Sequence, residues 1–339
     1  MTYLARTGFA LILFYNINGC AAHNKQPETR GTEPYSSIPK TDTVIVQLPD
    51  TVLYNEKMQQ LANGDRSGRW PPKTVYPKEG ALLPFNRIVA YYGNFYSAQM
   101  GVLGEYPVDE MIKKLESEKL HWENADTLTP VIPAIHYIAV TAQHSAGADS
   151  KYRLRMPFDQ IDKAVGLAAK VNGILFLDVQ VGLSTLENEI PLLRKYLLMP
   201  RVHLGIDPEY SMKSGKRPGT SVGTFDAADI NYACEYLAAI VKDNDLPPKI
   251  LVVHRFRTDM LTNYKKIKTC NEVQLVINMD GFGSPQLKKQ TYYYAIYREP
   301  VQFTGFKLFY KTDVKSGKHL MSPGEILNLK PQPIYIQYQ

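Results

Sequence analysis

The feature that most constrains this chain is a recurring alternation of short apolar runs with helical patterns. Eight runs read as strands: Arg87–Asn94, Pro130–Val140, Ile174–Gly182, Val202–Glu209, Ile250–Phe256, Val273–Asp280, Phe303–Tyr310 and Pro333–Tyr338. Each is rich in Val, Ile, Leu or aromatics, as expected of a strand covered on both faces. Between them, "VDEMIKKLESEKLHW" sets Met111, Ile112, Leu115 and Leu120 along one helical face. "PFDQIDKAVGLAAKVNG" stops at Asn172-Gly173, and "DAADINYACEYLAAIVKDN" starts on Asp226 as a cap, with Ile230, Cys234, Leu237 and Val241 on one side. Shorter helices fit Ser184–Leu198, Thr258–Lys268, Pro285–Tyr297 and Pro323–Leu329. Eight strands separated by seven helices predict an α/β fold, a (β/α)8 TIM barrel over residues 86–339. An open doubly wound sheet is the competitor, but no Gly-rich phosphate turn follows the first strand.

Loop lengths single out one end of that barrel. Helix-to-strand links such as Val171–Gly173 and Asp245–Lys249 are short, whereas the strand-to-helix links Thr141–Met156, Tyr210–Phe225 and Lys311–Ser322 are long. In such barrels the strand-to-helix loops build the functional face. Side chains two apart on a strand share a face, which selects the inward set. It comprises Tyr92 and Asn94 on the first strand, His136 on the second, and Asp178 and Gln180 on the third. His203, Gly205, Asp207 and Glu209 follow on the fourth, and Asn278 and Asp280 on the sixth. On the fifth, "LVVHRF" leaves open whether His254 or Arg255 points inward.

Four carboxylates at one barrel mouth are costly unless paired, metal-bound or used. Taken singly, each has a simpler reading: Asp207 beside Pro208 would cap the loop it begins. Together, Asp207, Glu209, Asp280 and Asp178 suit glycoside hydrolysis, in which one carboxylic acid protonates the leaving oxygen. A second carboxylate then attacks the sugar or activates water. The expected assignment is Asp207 as nucleophile or base and Asp280 or Glu209 as acid. Tyr92, Asn94, His136, Gln180, His254, Arg255 and Asn278 are the expected substrate contacts, and Tyr91, Tyr137, Tyr210 and Trp70 offer stacking surfaces. No cofactor is expected on this reading.

Two other classes compete. A metal-dependent hydrolase would use His136, Asp178, Asp207, Glu209, His254 and Asp280 to hold Zn, Mn or Mg, although no HxH or HExxH occurs. A non-catalytic glycan- or cell-wall-binding protein would keep the barrel and no turnover. "KSGKRPGTSVG" lacks the order of a phosphate loop and reads as a lid over the mouth or a solvated basic loop.

The N-terminus addresses location. "MTYLARTGFALILFYNINGC" has an early Arg6, an apolar run from Gly8 to Tyr15 and a cysteine at position 20. The run is too short to span a bilayer but suits a secretory signal. It resembles a bacterial lipoprotein signal over residues 1–19 with Cys20 lipidated. Residues 20–43 are polar and read as a flexible tether, and residues 44–85 precede the barrel. Ala21 and Ala22 after the cysteine favour the outer membrane of a Gram-negative cell envelope. The expected partners are therefore a membrane, through lipid, and a carbohydrate substrate; the sequence leaves oligomeric state open. A net charge of +6 spread along 339 residues, without a Lys/Arg block, argues against nucleic acid. Cys234 and Cys270 have no CxxC spacing and make neither a zinc motif nor a disulfide framework.

Together, "FLDVQVG", "GIDPEYSM", "LVVHRF", "NMDGFG" and "GFKLFYKTD…PIYIQYQ" resemble a family of exported bacterial lipoproteins with a glycosidase-like (β/α)8 barrel and no established activity. The resemblance spans Asn86 to Gln339 and carries no catalytic residue with it.

Overall fold

In the computed structural model, residues 50–315 and 319–339 are described. The expected signal over 1–19, lipidated Cys20 and tether over 20–43 lie outside them. Eight parallel strands form the core: β1 (Arg87–Gly93), β2 (Val131–Ala142), β3 (Ile174–Val179), β4 (Val202–Ile206), β5 (Lys249–Arg255), β6 (Val273–Met279), β7 (Phe303–Leu308) and β8 (Tyr335–Tyr338). Neighbours pair in sequence order, and β1 pairs with both β2 and β8, so the sheet closes on itself. The expected (β/α)8 barrel is present. A short antiparallel strand, Arg153–Arg155, extends β2 at its upper end.

Alternation along the strands divides the apolar residues into two sets. Leu175, Leu177 and Val179 of β3, Val202, Leu204 and Ile206 of β4, and Leu275, Ile277 and Met279 of β6 face the helices. Ile88, Ala90, Ala134, Ile174, Phe176, Ile250, Val252, Val276, Phe303 and Tyr335 fill the lower barrel. The helix Thr51–Ala62 closes that lower end, packing Tyr54 and Met58 with Leu83 under the same cluster. Gln274, at the bottom of β6, fixes this plug by accepting from the Leu82 and Leu83 amides and donating to the Leu83 carbonyl.

Several elements depart from expectation. Pro191 interrupts the helix expected over Ser184–Leu198, leaving three short turns at Leu186–Glu189, Ile190–Leu193 and Arg194–Leu197. No continuous α-helix covers Thr258–Lys268, which holds only short 3₁₀ turns at Thr258–Met260 and Tyr264–Lys266. Asn263 adopts φ 56°, and Leu261–Thr262 pairs with Phe225–Asp226 as a two-residue strand. Leu120 is exposed on the helix Val108–Ala125, where Met111, Leu115 and Trp122 take the buried positions. The expected helix over Pro285–Tyr297 begins as an α-helix and ends in a π-turn from Tyr293.

Asp226 holds the segment after β5 in place without an α-helix. Its carboxylate caps Ala227–Asp243 through the Ala228 amide at 3.1 Å and also accepts from Thr262 Oγ1 at 2.6 Å and Asn263 Nδ2. Those bonds pull its pKa from 3.8 to about 2. A carboxyl depressed in the folded state contributes stability above its unfolded pKa and loses it as pH falls through the folded one. Asp226→Ala is expected to cost about 1–2 kcal/mol at neutral pH in urea unfolding. The difference from wild type should shrink as the pH is lowered from 3.8 towards 2. A pH-independent difference would remove the carboxylate from this role.

Candidate active site

The C-terminal strand ends gather the polar residues. Inward positions there carry Tyr92 (β1), His136 (β2), Asp178 (β3), His254 (β5), Asn278 (β6), Lys307 (β7) and Gln337 (β8), all buried. Gln180, Asp207 and Asp280 continue the inward parity just past β3, β4 and β6 and are buried too, while Glu209 is half-buried at the rim. Asp178 is held by a strand, whereas Asp207, Glu209 and Asp280 sit in the first residues after strands end.

Deepest lies a cluster around Asp178. His136 Nε2 and His254 Nε2 approach its Oδ1 at 3.3 and 3.4 Å, and Tyr92 OH donates to its Oδ2 at 2.9 Å. His254 Nδ1 meets Asp280 Oδ2 at 3.2 Å, and His136 Nδ1 meets Tyr335 OH at 2.6 Å. Burial drops His136 to about 4. Burial also opposes a charge on His254, but Asp178 and Asp280 outweigh it and lift that imidazole to about 10. Gly205 of β4 is required here, because a Cβ would collide with both Asp178 Oδ1 and His136 Nε2.

Asp207 stands one layer higher. Its Oδ1 accepts from the Glu209 amide at 3.0 Å, capping the turn Pro208–Tyr210, and its Oδ2 accepts from Gln180 Nε2 at 3.3 Å. Gln180 is itself fixed, because its Oε1 accepts from the Ala142 amide. The capping reading and the site reading of Asp207 therefore coexist in one side chain. Burial, with Asp280 and Asp178 adding to it, raises Asp207 to about 7. Glu209 is pushed well above the carboxylate range by burial and then by Asp207 and Asp280.

Lys307 was not among the sequence candidates. Its Nζ sits 3.8 Å from the Tyr92 ring centroid, and burial lowers its pKa although Asp280, Asp207, Asp178 and Glu209 all pull upward. The signal was present: Phe303, Gly305 and Lys307 share the inward parity of β7. Tyr335 and Gln337 were legible the same way on β8; Gln337 donates to Tyr335 OH and accepts from Asn278.

Two expected contacts fall elsewhere. Arg255 faces outward between barrel and surface, bonding the Arg257, Thr258 and Leu261 carbonyls and Glu299, so His254 takes the inward place on β5. Asn94 spends its amide on the Ile138 carbonyl and the Tyr96 N–H, anchoring the first loop. Of the aromatic residues considered, Tyr91 and Tyr137 face the helices, and Trp70 donates to the Tyr297 carbonyl.

A closed (β/α)8 barrel with acids, imidazoles and an ammonium at the C-terminal mouth is the arrangement this chain presents. No family model matches it, and no curated protein does. Among solved structures it is similar to a GH5-4 broad specificity endoglucanase from an uncultured bacterium, with 8% identity, TM-score 0.31, and coverage of 65% of this chain and 77% of that one. It is also similar to a GH5-4 broad specificity endoglucanase from an uncultured bovine rumen ciliate, with 10% identity, TM-score 0.36, and coverage of 71% and 80%.

Proposed function

We propose that this protein is an exported, lipid-anchored carbohydrate-active hydrolase that cleaves glycosidic bonds with Asp207 and Glu209. The observation that carries the reading is the contrast between these two carboxyls on one strand end. Asp207 is raised to about 7 by burial, but it takes an N–H on each oxygen, and those two bonds favour the ionised form that a nucleophile or base needs. Glu209 sits at the half-buried rim, and the described residues give its carboxyl no hydrogen-bond donor. That environment suits the protonated acid. Asp280 is committed to His254 and Lys307 lies among the acids, which fits them to polarise and orient a substrate hydroxyl. The lipid on Cys20 and an outer-membrane location belong to this proposal and rest on the N-terminal sequence.

The test is release of sugar by purified protein lacking the lipid, across plant, host and bacterial-wall glycans. Wild type should turn over at least one of them. Glu209→Gln should lose far more on a natural glycan than on an aryl glycoside whose leaving group needs no proton, by about 10²-fold or more. Equal losses on both substrates would strip Glu209 of the acid role. Silence of wild type on the whole panel would leave a binding protein.

A further inference from the structure

We infer that the barrel floor is a site for one divalent transition-metal ion of the Zn²⁺ type, held by His136 Nε2, Asp178 Oδ1 and His254 Nε2. These atoms come from β2, β3 and β5 and lie within 4.8 Å of one another. The two nitrogen–oxygen separations are 3.3 and 3.4 Å. Ligands at about 2.0–2.1 Å around a tetrahedral ion stand about 3.4 Å apart.

Without a metal the approach is an ion pair of the imidazoles with Asp178, and it lacks hydrogen-bond geometry. All three residues are fully buried, yet none of the three atoms has a hydrogen-bond partner. Unpartnered buried polar atoms are rare and costly, and here three point at one spot. The opposite atom of each residue is, by contrast, firmly held. Tyr335 OH meets His136 Nδ1, Asp280 Oδ2 meets His254 Nδ1, and Tyr92 OH donates to Asp178 Oδ2. Metal ligands are oriented in this way, with the far nitrogen or oxygen tied to a carboxylate or hydroxyl. Tyr335 and Asp280 can each take an Nδ1 proton, so that a bound metal would displace only the proton on His254 Nε2.

Space and charge agree. Gly205 keeps a side chain away from the spot where His136 Nε2 and Asp178 Oδ1 converge. Four carboxyls, Asp178, Asp207, Asp280 and Glu209, act together on the Lys307 ammonium, and Lys288 reaches only Asp280 among them. Two imidazoles and one carboxylate suit Zn²⁺, with Mn²⁺ and Fe²⁺ next, and do not suit Ca²⁺ or Mg²⁺, which prefer all-oxygen shells. The inference shares the barrel mouth with the hydrolase reading but does not depend on it.

The experiment is Zn²⁺ titration calorimetry on purified, EDTA-stripped protein, followed by metal analysis after dialysis. About one equivalent of bound Zn²⁺ per chain and a raised melting temperature are expected. His254→Gln and Gly205→Ala should abolish the uptake. Tyr335→Phe, which removes only the outer partner of His136, should weaken it about 10–100-fold in a chain that still folds. No uptake by stripped wild type, or uptake unchanged in His254→Gln, overturns the site. Asp207→Asn separates the two readings, because it should keep the metal and lose hydrolysis. Zn²⁺ binding without turnover on any glycan removes the hydrolase reading alone, and turnover by metal-free protein without Zn²⁺ uptake removes this one alone.

Discussion

Asp207→Asn is expected to lower kcat on the glycan that wild type cleaves by about 10²–10⁴-fold. The substitution keeps the shape and keeps an Oδ1 to accept the Glu209 amide, so the turn Pro208–Tyr210 should survive. It removes the negative charge that an attacking or proton-accepting group needs. It also sets an amide NH₂ against Gln180 Nε2, and Gln180 cannot turn away because its Oε1 is engaged by the Ala142 amide. That local conflict should cost about 1–3 kcal/mol of stability, which a urea titration reads separately from the kinetics. If kcat stays within a few-fold of wild type while the protein is folded, Asp207 is a loop cap and nothing more.

The largest expected effect on stability lies behind the site. Lys288 and Asp313 form an ion pair at 2.8 Å with both side chains about 1% exposed. Lys288 Nζ also donates to the Gly281 and Lys307 carbonyls, and Asp313 accepts from the Gly283 and Phe309 amides. One pair thus joins the exits of β6 and β7, the strands that carry Asp280 and Lys307. Lys288→Met fills similar volume beside Phe306 and Phe309 but leaves Asp313 buried without its cation. The expected loss is about 3–5 kcal/mol. Adding Asp313→Asn to it should recover part of that loss, since the stranded charge is gone. A single-variant loss under about 1 kcal/mol would show the pair to be dispensable.

Much of this architecture was legible because a period of two is hard to disguise. Once the eight runs are aligned, parity alone separates Leu177 from Asp178 and Ile206 from Asp207. The strands lie where expected, but their limits shift by one to three residues, as where Ile174–Gly182 ends at Val179 and Val202–Glu209 at Ile206. Parity failed at "LVVHRF", where two polar residues are adjacent and only one can face inward. What decided between them was Glu299, 44 positions away, which gives Arg255 a partner outside. Lys307 was overlooked for a different reason: a lysine in a strand reads as solvent-facing, and only the acids of β3, β4 and β6 make it affordable inside. The break in the helix expected at Thr258–Lys268 has its partner elsewhere, since Asp226 accepts from Thr262 and Asn263 between the two short 3₁₀ turns. Long-range partners of this kind leave no local mark in a sequence.

The closing pair of the barrel has a consequence for how the molecule is made. β1 is flanked by β2 and by β8, and the Gln332 amide reaches back to the Leu61 carbonyl beneath them. More than two hundred residues separate the partners in that last seam, so its formation carries a large loop-closure penalty and comes late. Until β8 has been synthesised, β1 exposes an unpaired edge and Ile88 lacks the Ile334 carbonyl that its amide binds. A chain lacking its final strand therefore cannot complete the barrel, and its β1 edge stays open to mispairing.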